Sequence, residues 1–221
     1  MTVLFVIATI LFFLALDWLV RKFRGAPEIS PQPAALQLHY PMRIPQGIFF
    51  AKTHTWLHLL PSGTLRVGID DFVGRLFEKP ELTLLRKSGE EIRAGEPIFA
   101  LASGGRKILV RSPIDGRVLQ ANTELAGSPE NLKERLFSDG WGYVILPKRV
   151  NQLREMLLGS ETREWIRGEF RRLVDFLAGA TASPAGQPAF LQDGGLPVPG
   201  ILQKMDAAAW EKFDHDFLQN Q

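Results

Sequence analysis

Side chains able to do chemistry are few and scattered in this chain of 221 residues. There is no cysteine, which removes thiolate nucleophiles, disulfides, iron–sulfur clusters and thiolate metal sites together. The histidines His39, His54, His58 and His215 share no ligand spacing, so no metal site is expected. His54, beside Trp56, reads as a structural residue at a strand start. Asp70-Asp71 has the residue types of an acid–base pair. Its place before Phe72, Val73 and Leu76 instead makes it the start of a short helix to Phe77, capped by Asp70. No nucleophile elbow, glycine-rich phosphate loop or His-Glu pair is present, so the chain is expected not to be an enzyme by itself. The remaining candidate is Ser103-Gly104-Gly105-Arg106-Lys107. Two adjacent glycines suit a two-residue hairpin turn with positive φ at both positions. Ser103 would then face Arg106, and Lys107 would lie on the returning strand as a surface charge.

The elements that would hold such a hairpin are short strands. Thr64–Ile69 alternates at period two after the Pro61-Ser62-Gly63 turn. Ile108–Val110 and Arg117–Leu119 flank Ser112–Gly116, and Trp141–Leu146 follows Ser138-Asp139-Gly140. Regular, short spacing of strands indicates a sandwich or barrel. Ser128, with Pro129 in the first turn, is expected to cap a helix to Leu136. Ser160 is expected to cap a longer one to about Leu177, with Ile166, Phe170, Leu173, Val174 and Leu177 on its inner face. Arg163, Arg167 and Arg171 form a stripe on that helix, readable as a solvated face or as a contact for anionic lipid or an acidic partner. A last helix from Asp206 carries Trp210, Phe213 and Phe217 on one side. It either packs back on the domain or docks into a partner's groove.

The ends of the chain differ from this middle. Val3–Leu16 is uncharged and nearly free of polar groups, and Arg21, Lys22 and Arg24 follow it. Charge placed after the apolar run argues for an uncleaved, single-pass anchor in the inner (plasma) membrane with the body of the protein in the cytoplasm. The expected organisation is an anchor over 1–24, a linker over 25–40, a domain over 41–178, a Pro/Gly linker over 179–205 and a short amphipathic helix over 206–221. The net charge of +2 is too small to indicate a nucleic-acid partner.

An ordered set of motifs runs through the domain. Ile44-Pro45 is followed by Lys52-Thr53-His54-Thr55-Trp56, then Val67-Gly68-Ile69-Asp70-Asp71-Phe72. Gly95-Glu96-Pro97, Ser112-Pro113-Ile114-Asp115-Gly116-Arg117-Val118, Ser128-Pro129 and Gly140-Trp141 come next. From about Ile44 to Val174 the chain thereby resembles the H protein of the glycine cleavage system. The resemblance implies a mainly β fold with peripheral helices, a lipoyl-carrier-like flattened barrel or sandwich of two small sheets. Here it would be preceded by one transmembrane helix and followed by C-terminal helices. It also implies lipoate, carried on a lysine at a hairpin apex within a Glu-Ser-Val-Lys-Ala run. Counted back from Ser112-Pro113 without gaps, that run falls on Ala102, Ser103, Gly104 and Gly105, so the family's lysine meets Gly105. The expectation is an unlipoylated, non-catalytic subunit or scaffold of a membrane-associated complex, with no cofactor. Its protein contacts would be Ser103, Gly104, Gly105 and Arg106 of the hairpin, Arg163, Arg167 and Arg171, and Trp210, Phe213 and Phe217. The alternative is a lipoylated carrier modified at Lys107.

Overall fold

The computed structural model describes residues 44–181 and 205–219, with the single positions Phe13 and Gly200. Apart from those two positions, the expected anchor, the linker after it and the stretch 182–204 lie outside the described residues. Among the described residues, no helix is long and apolar enough to cross a membrane.

Among the described residues, ten strands form two antiparallel sheets. The larger has β1 (Ile48–Ala51), β2 (Thr55–Leu59), β3 (Leu65–Ile69), β5 (Glu91–Ile92), β8 (Gly116–Ala121), β9 (Trp141–Pro147) and β10 (Leu157–Leu158), in the order β10-β1-β2-β3-β9-β8-β5. The smaller is β4 (Glu81–Leu84), β6 (Pro97–Ser103) and β7 (Arg106–Arg111), with β6 central. Alternation along each strand turns Leu57, Val67, Leu101, Ile108, Val118 and Ile145 into one shared core. Tyr143 of β9 staples the sheets: its hydroxyl donates to Ile98 O at 2.9 Å and accepts from Arg86 N at 3.0 Å. Burial pushes its ionisation up to about 12. On the other face of β1 and β2, Phe50, Trp56 and Leu136 form a small second cluster with Phe137. Trp56 lies so close over Gly68, its cross-strand partner, that a Cβ there would come within 2.5 Å of the indole.

Helices α1 (Asp71–Leu76), α2 (Thr123–Gly127), α3 (Asn131–Glu134), α4 (Ser160–Thr181) and α5 (Ala207–Asp214) surround the sheets. Asp70 caps α1 as its sequence indicates, accepting from Val73 N at 3.1 Å. Lys133 closes the other end, donating from Nζ to Phe77 O and Glu78 O at 2.6 and 2.9 Å; burial lowers its pKa. The expected helix from Ser128 to Leu136 is corrected to α2 and α3. Ser128 N–H donates to Glu124 O and Leu125 O, so this residue ends the first helix rather than capping the second. At α4 the cap lies one residue earlier than expected: Gly159 O accepts from Arg163 N at 3.4 Å. The inner face of α4 is as the periodicity indicates, with Ile166, Phe170, Leu173, Val174 and Leu177 all buried.

Candidate functional site

The hairpin of β6 and β7 positions the first of the sequence candidates. Ser103 pairs with Arg106, Ala102 with Lys107 and Leu101 with Ile108. Gly104 and Gly105 fill the two turn positions with φ of 59° and 79°. Both positions sit in the left-handed region, where a side chain is strained. Strand parity then sorts the neighbours. Leu82, Leu101 and Ile108 form a buried row. The next row, Glu81, Ala102 and Lys107, faces the opposite way, and Glu81 and Lys107 are exposed. Arg106 shares the parity of Ile108, so its side chain runs toward the body of the protein. Ser103 Oγ donates to Lys79 O at 3.3 Å, fixing the hairpin to the loop before β4.

Arg106 meets the C-terminal segment. Its guanidinium donates to Met205 O and lies 5.3 Å from the Trp210 ring centre. Asp206 caps α5, accepting from Ala209 N at 2.8 Å, and beyond Asp214 the helix widens into a π-helical turn over His215–Gln219. The expected partner contacts at Phe213 and Phe217 are corrected here. Both rings are buried in this molecule's own core, stacked on each other at 4.9 Å, with Phe217 also against Phe72 and Phe176. The physical reason is that α1 and α4 offer an aromatic face that the tail's i, i+3, i+7 stripe fits. Trp210 is half-buried against Phe77. Arg163, Arg167 and Arg171 are exposed along α4.

Arg172, which no sequence motif singles out, is the residue that joins α4 to the tail. It donates to Glu169 Oε1 at 2.7 Å and to Asp216 O at 2.8 Å, and it lies 4.8 Å over Phe217. The Glu-x-x-Arg spacing was the available signal for the first of these contacts. Glu169 is buried, so the guanidinium compensates a charge that would otherwise stand desolvated.

The remaining candidates are structural. His54 is fully buried, with Nδ1 2.8 Å from Asp70 Oδ2 and its ring stacked on Phe72 at 4.5 Å. Asp71 is held by Arg75 at 2.7 Å, one helical turn on. No group of three or more metal-ligating side chains comes together among the described residues.

The family description "Glycine cleavage H-protein" matches residues 48–168, more than half of the chain. The glycine cleavage system H protein of Coprothermobacter proteolyticus is 30% identical over 125 residues, covering 57% of this chain and 98% of that protein. The one from Stenotrophomonas maltophilia is 31% identical over 120 residues, covering 52% and 87%. A crystal structure of a glycine cleavage system H protein from Mycobacterium marinum aligns with a TM-score of 0.47 at 25% identity, covering 53% of this chain and 94% of that one. The matched region holds both sheets and the hairpin and ends inside α4, leaving the tail outside it. Because that family description matches more than half of the sequence, the chain belongs to the glycine cleavage H-protein family.

Proposed function

We propose that the protein is a membrane-anchored member of this family whose hairpin is unmodified and which serves as a non-catalytic subunit or scaffold of a membrane-associated complex. The observation that carries this is the hairpin tip. Gly104 and Gly105 occupy both turn positions, and glycine has no side-chain amine to form the amide that a lipoyl group needs. Lys107 has the amine, but it stands on the outward face of β7, opposite Ala102 and two residues beyond the turn. The residues at the tip therefore do not fit a carried arm at the apex. Protein contacts are assigned to the exposed tip and to Arg163, Arg167 and Arg171.

Support for the anchor comes from the sequence. The uncharged run Val3–Leu16 and the cations Arg21, Lys22 and Arg24 suit a single-pass helix with the domain in the cytoplasm. The net charge of +2 is too small to indicate a nucleic-acid partner.

The test is the intact mass of the protein isolated from native membranes of lipoate-replete cells. An unmodified mass is the expected result. A mass larger by one lipoyl group, localised to Lys107, would overturn the scaffold reading and establish a carrier that works from the strand. Membrane recovery after removal of residues 1–24 tests the anchor separately: the shortened protein is expected in the soluble fraction, and continued sedimentation with membranes would refute it.

A further inference from the structure

Residues 205–219 lie beyond the stretch that the family description matches, yet they touch the hairpin. Two arginines hold the segment by one device at its two ends. At the start, Arg106 bonds Met205 O and lies over Trp210 at 5.3 Å. At the end, Arg172 bonds Asp216 O at 2.8 Å and lies over Phe217 at 4.8 Å. Each guanidinium therefore satisfies a tail carbonyl and covers a tail ring. Between them Phe213 and Phe217 are buried against aromatic rings of α1 and α4. An α-helix of eight residues is too short to persist alone in water, so α5 owes its helicity to this docking. Arg106 directly follows Gly105, so one side chain belongs to both the hairpin tip and the tail's anchorage.

We propose that residues 205–219 form an intramolecular latch on the hairpin. Docking of the tail and ordering of the hairpin are one coupled equilibrium, with Arg106 as the joint. A protein that grips the tip therefore acts on the tail, and a protein that draws the tail away loosens the tip. Such coupling is reciprocal by thermodynamic necessity. The latch adds regulation to the proposed scaffold role, and it holds equally for a hairpin modified at Lys107.

Hydrogen–deuterium exchange on the full chain tests it. Asp206 is exposed, and its side chain caps α5 without a contact to the hairpin among the described residues. Asp206→Ala is expected to speed exchange over residues 207–214 about fivefold, the size of a lost cap. The bonded amides of β6 and β7 should accelerate with it, while β3 and β9 keep their protection. Asp206→Asn, which retains a capping oxygen, should restore both regions. In the reverse direction, Arg106→Ala should speed exchange over 207–214. The latch is overturned if Asp206→Ala loosens the tail alone, or if Arg106→Ala loosens the hairpin alone. It is also overturned if β3 and β9 accelerate equally, because the effect is then global destabilisation.

Discussion

Asp70 concentrates several roles in one side chain. Oδ1 accepts from Val73 N at 3.1 Å, Oδ2 meets His54 Nδ1 at 2.8 Å, and its backbone N–H donates to His54 O at 3.0 Å. These bonds hold His54 at a φ of 59°, an uncommon conformation outside glycine. Asp70→Ala removes the cap and leaves a buried imidazole without this carboxylate. It should cost about 2–4 kcal/mol in a urea melt, with Asp70→Asn costing clearly less. Tyr143→Phe should cost about 1–2 kcal/mol in the same assay, because Arg86 N loses its acceptor while Ile98 O keeps Leu85 N. The cap was readable from the sequence because capping is local: an aspartate before an apolar turn is enough. The His54 partner was not readable. It lies 16 residues away, and only the β2–β3 register brings the two together.

At the scale of elements, the hairpin turn was legible and its surroundings were not. A Gly-Gly pair between alternating runs has one low-strain solution, and the structure adopts it, with both φ values positive. Replacing both glycines by alanine is expected to cost about 2–4 kcal/mol through left-handed strain, whereas Gly104→Asn should fall near wild type. A thermal melt with exchange read over β6 and β7 separates the cases. The short helices show where local signals mislead. Ser128-Pro129 has the composition of a helix start, but the preceding turn claims Ser128 N–H first. The terminal helix was legible as amphipathic from Trp210, Phe213 and Phe217. Its docking face was not, because Phe72 and Phe176 are remote in sequence and nothing local identifies them as its seat.

For the molecule as a whole, Asp115 is joined to two remote segments. Its carboxylate accepts from Ala94 N at 2.9 Å and from Arg149 at 2.6 Å, and its own N–H donates to Gln152 Oε1 at 3.2 Å. The Ala94 bond, followed by Arg149, holds its pKa below the usual carboxylate value of 3.8. The folded state thus favours the ionised form. This contribution is full above the ordinary aspartate range and is lost as pH falls through the lowered folded value. Asp115→Asn is expected to reduce stability at neutral pH and to flatten the acid limb of a stability–pH curve.

The family match ends at residue 168, within the helix Ser160–Thr181. The core does not end there: Phe170, Leu173, Leu177, Phe213 and Phe217 complete it. A recombinant fragment of residues 44–168 should therefore bind a hydrophobic dye and melt without a cooperative transition, while the same fragment extended to residue 219 should melt sharply. What is inherited and what folds are units of different length. An exchange of the shared barrel between family members would transplant a helix cut in half and an open interior, so in this protein the smallest heritable cassette that can stand alone must carry the whole of α4 with it.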